Sequence, residues 1–411
     1  MKISLGEKGG NHNYADAFFL VAPHFHRLKS LVIRLDVLPD AISHFRCQAP
    51  LLENLDISLS GSHAPVLDNA LFKRDLSSVR RLRLEGVITH LPWNNLANLT
   101  RFTLKSCLPG RSFITRLLDF FECAPLLHTI VLKDSIPTSS DAPFGQITSL
   151  PNLRALSITA QPAHSILLNH LRTPTHALLS LKFAFCGNGS PLQDYLPGTF
   201  ANLENLSHVT TINLCFGPAQ KRLRLSGPSG ELCVLARLEE PDETVSSCTL
   251  DHRILRSLSP GFLSTAQRLA VSKYKPPRPK KVEECPVFQT LYFTTSLRTL
   301  TLTKCHNLAF IFALNPEKNS SGLVLCPDLE EIILYIKSRD HFHIGHLLSM
   351  AKKRSVRGAK LSSINIVGLN KLVPAKEVFG LREHVTHVDY RAGDTPPDWD
   401  YLPDDSDDES E

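Results

Sequence analysis

Five cations recur at alternating positions in three short segments of this 411-residue chain: Arg81 and Arg83 in RRLRLEG, Arg101 and Lys105 in TRFTLK, and Lys133 in TIVLK. A guanidinium fork binds carboxylate or phosphate through two parallel N–H···O bonds, and an ammonium group binds as a point charge. The chemistry on offer is capture of an acidic or phosphorylated segment. A solvated charged face is the plainer alternative. Ile333 and Tyr335, in EIILYI, offer an apolar and aromatic contact next to the threonine set Thr299, Thr301 and Thr303. His341, His343 and His346 form H-x-H-x-x-H. On a helix only the last two are neighbours, and no H-E-x-x-H spacing accompanies them, so no metal site is expected. G-x-S-x-G, P-loop and strand-borne G-x-G-x-x-G patterns are absent. Catalysis and cofactor binding are therefore not expected.

The elements that position these residues are written as a repeat. The form apolar-x-x-apolar-x-apolar runs from Leu28-Leu31-Ile33 and Leu52-Leu55-Ile57 to Leu361-Ile364-Ile366 and Val385-Val388-Tyr390, and it includes Leu178-Leu181-Phe183. The intervals are about 20 to 34 residues and average about 27, which fits long leucine-rich repeats. In a short strand alternate side chains share one face. The apolar set then points inward, and the cations, with Ile333 and Tyr335, point outward. Strands lie about 4.8 Å apart, so the five cations are expected within a patch of about 10 Å by 10 Å. Segments 113–124 and 341–354 have helical spacing. Cys107, Cys186 and Cys305 stand three positions after the last apolar residue of their motifs. A small polar side chain there bonds to turn backbone groups.

Composition agrees with such a stack. There are 66 leucines but only 2 Met and 2 Trp. Each strand–helix unit buries its apolar face against its neighbours, so the length reads as a single long stack. The net charge is +5, and six acids crowd the last eight residues, leaving +11 on the rest. That surplus favours an acidic partner surface over nucleic acid. The 10 cysteines include no C-x-x-C and read as reduced thiols. No run of about 18 uncharged apolar residues and no leader pattern is seen, so a cytoplasmic or nuclear chain without a membrane span is expected. KYKPPRPKK (273–281) carries a P-x-x-P and reads as an exposed basic loop.

The strings THLPWNNLANLTRFTL (89–104), LLDFFECAPLLHTIVL (117–132), FIFALNPEKN (310–319), CPDLEEIILYIKSRD (326–340) and GAKLSSINIVGL (358–369) resemble the leucine-rich-repeat region of fungal, mushroom-type F-box proteins. The resemblance covers about residues 3–403 and implies the substrate-recognition region of a cullin–RING ubiquitin ligase subunit. It implies a protein substrate on the concave face. Nothing before Leu28 resembles an F-box, so the Skp adaptor and a cullin are expected partners only if an F-box lies upstream. The alternative is a non-ligase scaffold, or an F-box-less paralogue, that binds an acidic or phosphorylated partner. The expected fold is an α/β leucine-rich-repeat solenoid, a horseshoe with a parallel concave sheet and convex helices and loops. Its expected parts are an irregular cap (1–27), about 13 to 14 repeats (28–395) and an acidic tail (396–411). A hairpin-like excursion is expected near 217–250, around Gly-Pro-Ser-Gly.

Overall fold

The computed structural model describes residues 1–6, 20–35, 47–59, 66–67, 72, 75–89, 96–109, 113–135, 145–160, 166–185, 202–206, 208–216, 220–228, 230–238, 260–274, 286–305, 307–319, 322–336, 344–368 and 375–392. The chain is α/β, with mostly parallel strands. It divides into two units, Met1–Ser207 with Ser229–Arg237, and His208–Pro228 with Leu238–Glu411.

The first unit holds β1 (Lys2–Gly6), β2 (Ser30–Leu35), β3 (Asn54–Leu59), β4 (Arg81–Glu85), β5 (Arg101–Lys105), β6 (Thr129–Lys133), β7 (Ala155–Ala160) and β8 (Leu178–Phe185). They lie side by side in chain order, and each pairing is parallel. In the second unit β9 (Thr211–Phe216) pairs antiparallel with β10 (Gln220–Ser226). The chain then supplies β11 (Glu231–Leu238), next to β8 in strand order. Alternation around Gly-Pro-Ser-Gly thus marks two real strands, β10 and β11. From β9 the second unit continues in parallel through β12 (Arg268–Ser272), β13 (Thr299–Thr303), β14 (Glu331–Ile336), β15 (Ser363–Gly368) and β16 (His387–Ala392).

The leucine pattern forms the core in both units. Leu82, Leu84, Phe102, Leu104, Ile130 and Leu132 are at most 2 % exposed, as are Leu300, Leu302, Ile332 and Leu334. Each such side chain contributes about 1.5–3 kcal/mol by leaving water. One motif is corrected. Leu178 is 55 % exposed, whereas Leu179 and Leu181 are buried. Leu179 and Leu181 stand opposite Leu156 and Ile158, so the repeat reads Ala177-x-Leu179-x-Leu181 and is one residue short of the usual spacing. The cap is also corrected, because residues 2–6 form a strand parallel to β2. Leu20, within the expected cap, is 75 % exposed.

Two backbone devices recur in both units. Consecutive amides at several strand starts share one carbonyl just before the preceding strand or at its start: Arg80 and Arg81 on Glu53 O, Thr100 and Arg101 on Arg80 O, Arg298 and Thr299 on Gln267 O. Past the strand end the chain turns through a left-handed residue: Gly86, Ser106 and Asp134 in the first unit, Lys273 and Lys304 in the second. The amide of each donates to the last or next-to-last carbonyl of the next strand, for example Ser106 N to Lys133 O at 2.7 Å and Asp134 N to Thr159 O at 2.7 Å. Residue type differs among these turns, but the backbone bonds repeat.

Helices cover the apolar face. Phe113–Glu122 (α1) buries Phe113, Leu117, Leu118 and Phe121, as its spacing predicts, and Phe120 as well. Phe102 of β5 meets the Phe120 ring at 4.7 Å and the Phe121 ring at 6.5 Å. In the second unit Ile344–Val356 (α2) buries Ile344, Leu347, Met350, Ala351 and Arg354. Arg354 is fully buried and donates to the carbonyls of Leu325 at 2.6 Å and Cys326 at 2.8 Å. Among the described residues no carboxylate pairs with it, and burial lowers its pKa. It holds the turn that leads into β14 through its donors, with no counter-charge.

Candidate functional site

Period-two alternation places the residues between the buried ones on the opposite face of each strand. In the first unit that face has three levels. Asn54, Arg81, Arg101 and Thr129 stand in register on the first. Asp56, Arg83, Thr103 and Val131 form the second, and Ser58, Glu85, Lys105 and Lys133 the third. Arg81, Arg101 and Lys133 are exposed; Arg83 and Lys105 are half-buried.

All five cations from the sequence reading stand on one face, but they do not form the expected square. The first and third levels are four residues apart, or about 13 Å along the strand. Between them Arg83 is already occupied. Its Nη2 donates to Glu85 Oε2 at 2.9 Å, and its Nε lies 3.8 Å from Asp56 Oδ1. Arg34 approaches the same carboxylate at 3.6 Å. Burial raises the Asp56 carboxyl above its ordinary range, against the pull of Arg83 and Arg34. Arg34, Asp56, Arg83 and Glu85 cancel in charge. The exposed cations beyond this group are Arg81 with Arg101 at one end and Lys133 at the other. Like charges directly opposite on neighbouring strands destabilise a sheet, and a bound anion relieves that repulsion.

The corresponding face of the second unit is built differently. Thr299, Glu331 and Ser363 share one level, and Thr301, Ile333 and Asn365 the next. Thr303, Tyr335 and Val367 form the third. Ile333 and Tyr335 are half-buried within this surface. Sequence reasoning places Glu331 on the same outward face as Ile333 and Tyr335 but gives it no bonding role. Its Oε1 accepts from Asn365 Nδ2 at 2.8 Å and Ser363 Oγ at 3.3 Å, and its Oε2 from Thr299 Oγ1 at 3.5 Å. The available signal was three hydrogen-bonding residues at the same outward position of three consecutive motifs. These bonds hold the carboxylate in place on a surface of hydroxyls and amides.

The cysteines at the turn position are structural in geometry. Cys107 Sγ donates to Lys105 O at 3.3 Å, and Cys305 Sγ to Val271 O at 3.0 Å and Thr303 O at 3.2 Å. Ser135 occupies the same place after β6, and its Oγ donates to Lys133 O at 2.7 Å. Cys186 lies outside the described residues. Burial pushes the Cys107 and Cys326 thiols up to about 11 and Cys305 to about 12. A thiol whose pKa is raised stays protonated at pH 8, and the thiolate is the reactive form. In the native protein, Cys47 and Cys123, both exposed, are expected to react with an aromatic disulfide reagent at pH 8. Cys107, Cys305 and Cys326 are expected to stay protected until denaturant is added, with mass spectrometry assigning the sites. Modification of Cys305 in the native state would contradict the burial argument.

Among the described residues no group of three His, Cys, Asp or Glu side chains is placed to hold a metal ion. His341 and His343 lie outside those residues, and His346 is exposed, with its ring 4.9 Å from Phe312. The 275–281 loop segment and the acidic tail also fall outside them. No described helix is long and apolar enough to cross a membrane. In comparisons with known proteins, no family matches this chain and no curated protein matches it.

Proposed function

We propose that the chain is a leucine-rich-repeat solenoid, a horseshoe of about 13 to 14 repeats with a parallel concave sheet, that binds a partner protein on that sheet. The buried leucine series, the shared carbonyls at strand starts and the recurring left-handed turns support the repeat reading. The observation that carries the binding reading is the adjacency of Arg81 and Arg101, in register and both exposed. Two arginines on neighbouring strands, about 5 Å apart at the backbone, can bring their guanidinium forks to one acidic or phosphorylated segment. The chain acts by binding, not by catalysis, in the cytoplasm or nucleus. Its resemblance to F-box proteins, on the strings quoted above, supports a place in substrate recruitment to a cullin–RING ubiquitin ligase.

The two parts of this reading have separate tests. For binding, an acidic peptide titrated by fluorescence anisotropy should lose at least about tenfold in affinity in the Arg81→Ala/Arg101→Ala double variant, and should weaken as salt rises. Unchanged affinity in the double variant would remove the basic face from the function. For recruitment, the protein is mixed with the Skp adaptor and a cullin and the complex is isolated. Failure to co-purify assigns it to the scaffold class.

A further inference from the structure

The cations on the first unit's face differ in number and type between the two ends. The first level presents two exposed guanidinium groups, Arg81 and Arg101, from neighbouring strands. The third level presents one exposed ammonium group, Lys133, beside half-buried Lys105. Two arginine forks match a phosphoryl dianion, whereas a lysine point charge matches a single carboxylate. The level between carries Thr103 and Val131, both half-buried and uncharged. Arg83, the cation of that middle level, already donates to Glu85 at 2.9 Å.

The separation supplies a ruler. Thr129, the register partner of Arg101, stands four residues from Lys133 on β6. A strand rises about 3.3 Å per residue, so the two cationic ends are about 13 Å apart along the strand direction. An extended peptide covers the same distance between residues i and i+4. We propose that this face reads a phosphorylated, extended segment of a partner protein: a phosphoserine or phosphothreonine on Arg81 and Arg101, and an acidic residue four positions away on Lys133. The residue midway between them lies over Thr103 and Val131 and is uncharged. This rests on the acidic-segment reading above and adds the phosphate and the spacing.

The test uses the full chain and labelled nine-residue peptides, read by fluorescence anisotropy. The peptides carry one phosphoserine and one glutamate at i+2, at i+4 or at i−4, each with an unphosphorylated control. One of the two four-residue spacings, according to the direction in which the peptide lies, is expected to bind at least about fivefold tighter than i+2. Removing the phosphate should cost at least about tenfold. Lys133→Gln should weaken the four-residue spacing more than i+2 and so erase the preference between them, and Arg101→Gln should weaken every phosphopeptide. Circular dichroism confirms that both variants are folded. Equal affinity for all spacings would overturn the ruler and leave acidic-segment binding standing. Equal affinity with and without phosphate would overturn the phosphoryl assignment. Binding of none of the peptides, or of single-stranded nucleic acid in their place, would overturn both the proposal and the reading beneath it.

Discussion

Phe102→Ala is expected to destabilise the first unit by about 3–5 kcal/mol. Phe102 is fully buried on β5 and is the ring through which the strand meets α1, with Phe120 at 4.7 Å and Phe121 at 6.5 Å. Truncation removes the ring's transfer energy, leaves a cavity between strand and helix, and breaks two aromatic contacts worth about 0.5–1.5 kcal/mol each. Phe102→Leu keeps most of the volume and should cost about half as much. Urea unfolding followed by circular dichroism reads both, with the transition of the first unit scored by its midpoint. A loss below about 1 kcal/mol for Phe102→Ala would mean that α1 closes onto β5 and fills the space. The neighbours Arg101 and Thr103 stand on the outward face, so the variant should weaken peptide binding only as far as it unfolds the strand.

Gly86→Ala is expected to cost about 2–4 kcal/mol, through contact as well as backbone conformation. Gly86 has φ +67°, and a Cβ built there would lie 1.9 Å from the Leu59 carbonyl oxygen. That oxygen belongs to the backbone of the preceding strand and cannot rotate away. The other left-handed turns show that conformation alone does not demand glycine. Ser106, Asp134, Lys273 and Lys304 adopt φ between 47° and 60° with side chains in place. Ser106→Gly should therefore change stability by less than about 1 kcal/mol. If Gly86→Ala proves equally mild, β3 and β4 can separate without loss, and the shared-carbonyl register is looser than its geometry implies.

The parallel strands of the α/β fold were legible in the sequence because the strand signal recurs. Each L-x-x-L-x-L is weak alone, but period two within a motif and about 27 residues between motifs leave few alternatives. The failures occur where a repeat departs from its own rule. At Leu178 a leucine precedes two others, and the strand took the pair that keeps register with Leu156 and Ile158. At residues 2–6 the alternation Ile3-x-Leu5 is too short to announce a strand by itself, yet it stands opposite Leu31 and Ile33 on the open edge of β2. The candidate face was legible in which residues it holds, because alternation decides that. Its charge balance was not. The neutralising of Arg83 depends on Asp56 one strand away, and only the pairing register brings them together. Arg354 was hidden for a similar reason. Arginine at helical spacing reads as solvent-facing, and nothing local reveals the two carbonyls that receive it.

The left-handed turns and shared carbonyls described above join a strand to its sheet neighbour, so each unit has a mechanical character. Force applied at the β1 edge of the first unit loads the β1–β2 ladder before any bond farther in. Strands should then peel singly, each releasing about 27 residues, or about 90 Å of slack. A cooperative globule held by its ends gives way at once. A sheet of parallel strands joined neighbour to neighbour yields in increments, and an outer strand can be lost and regained while Arg101 and Lys133, on β5 and β6, keep their spacing.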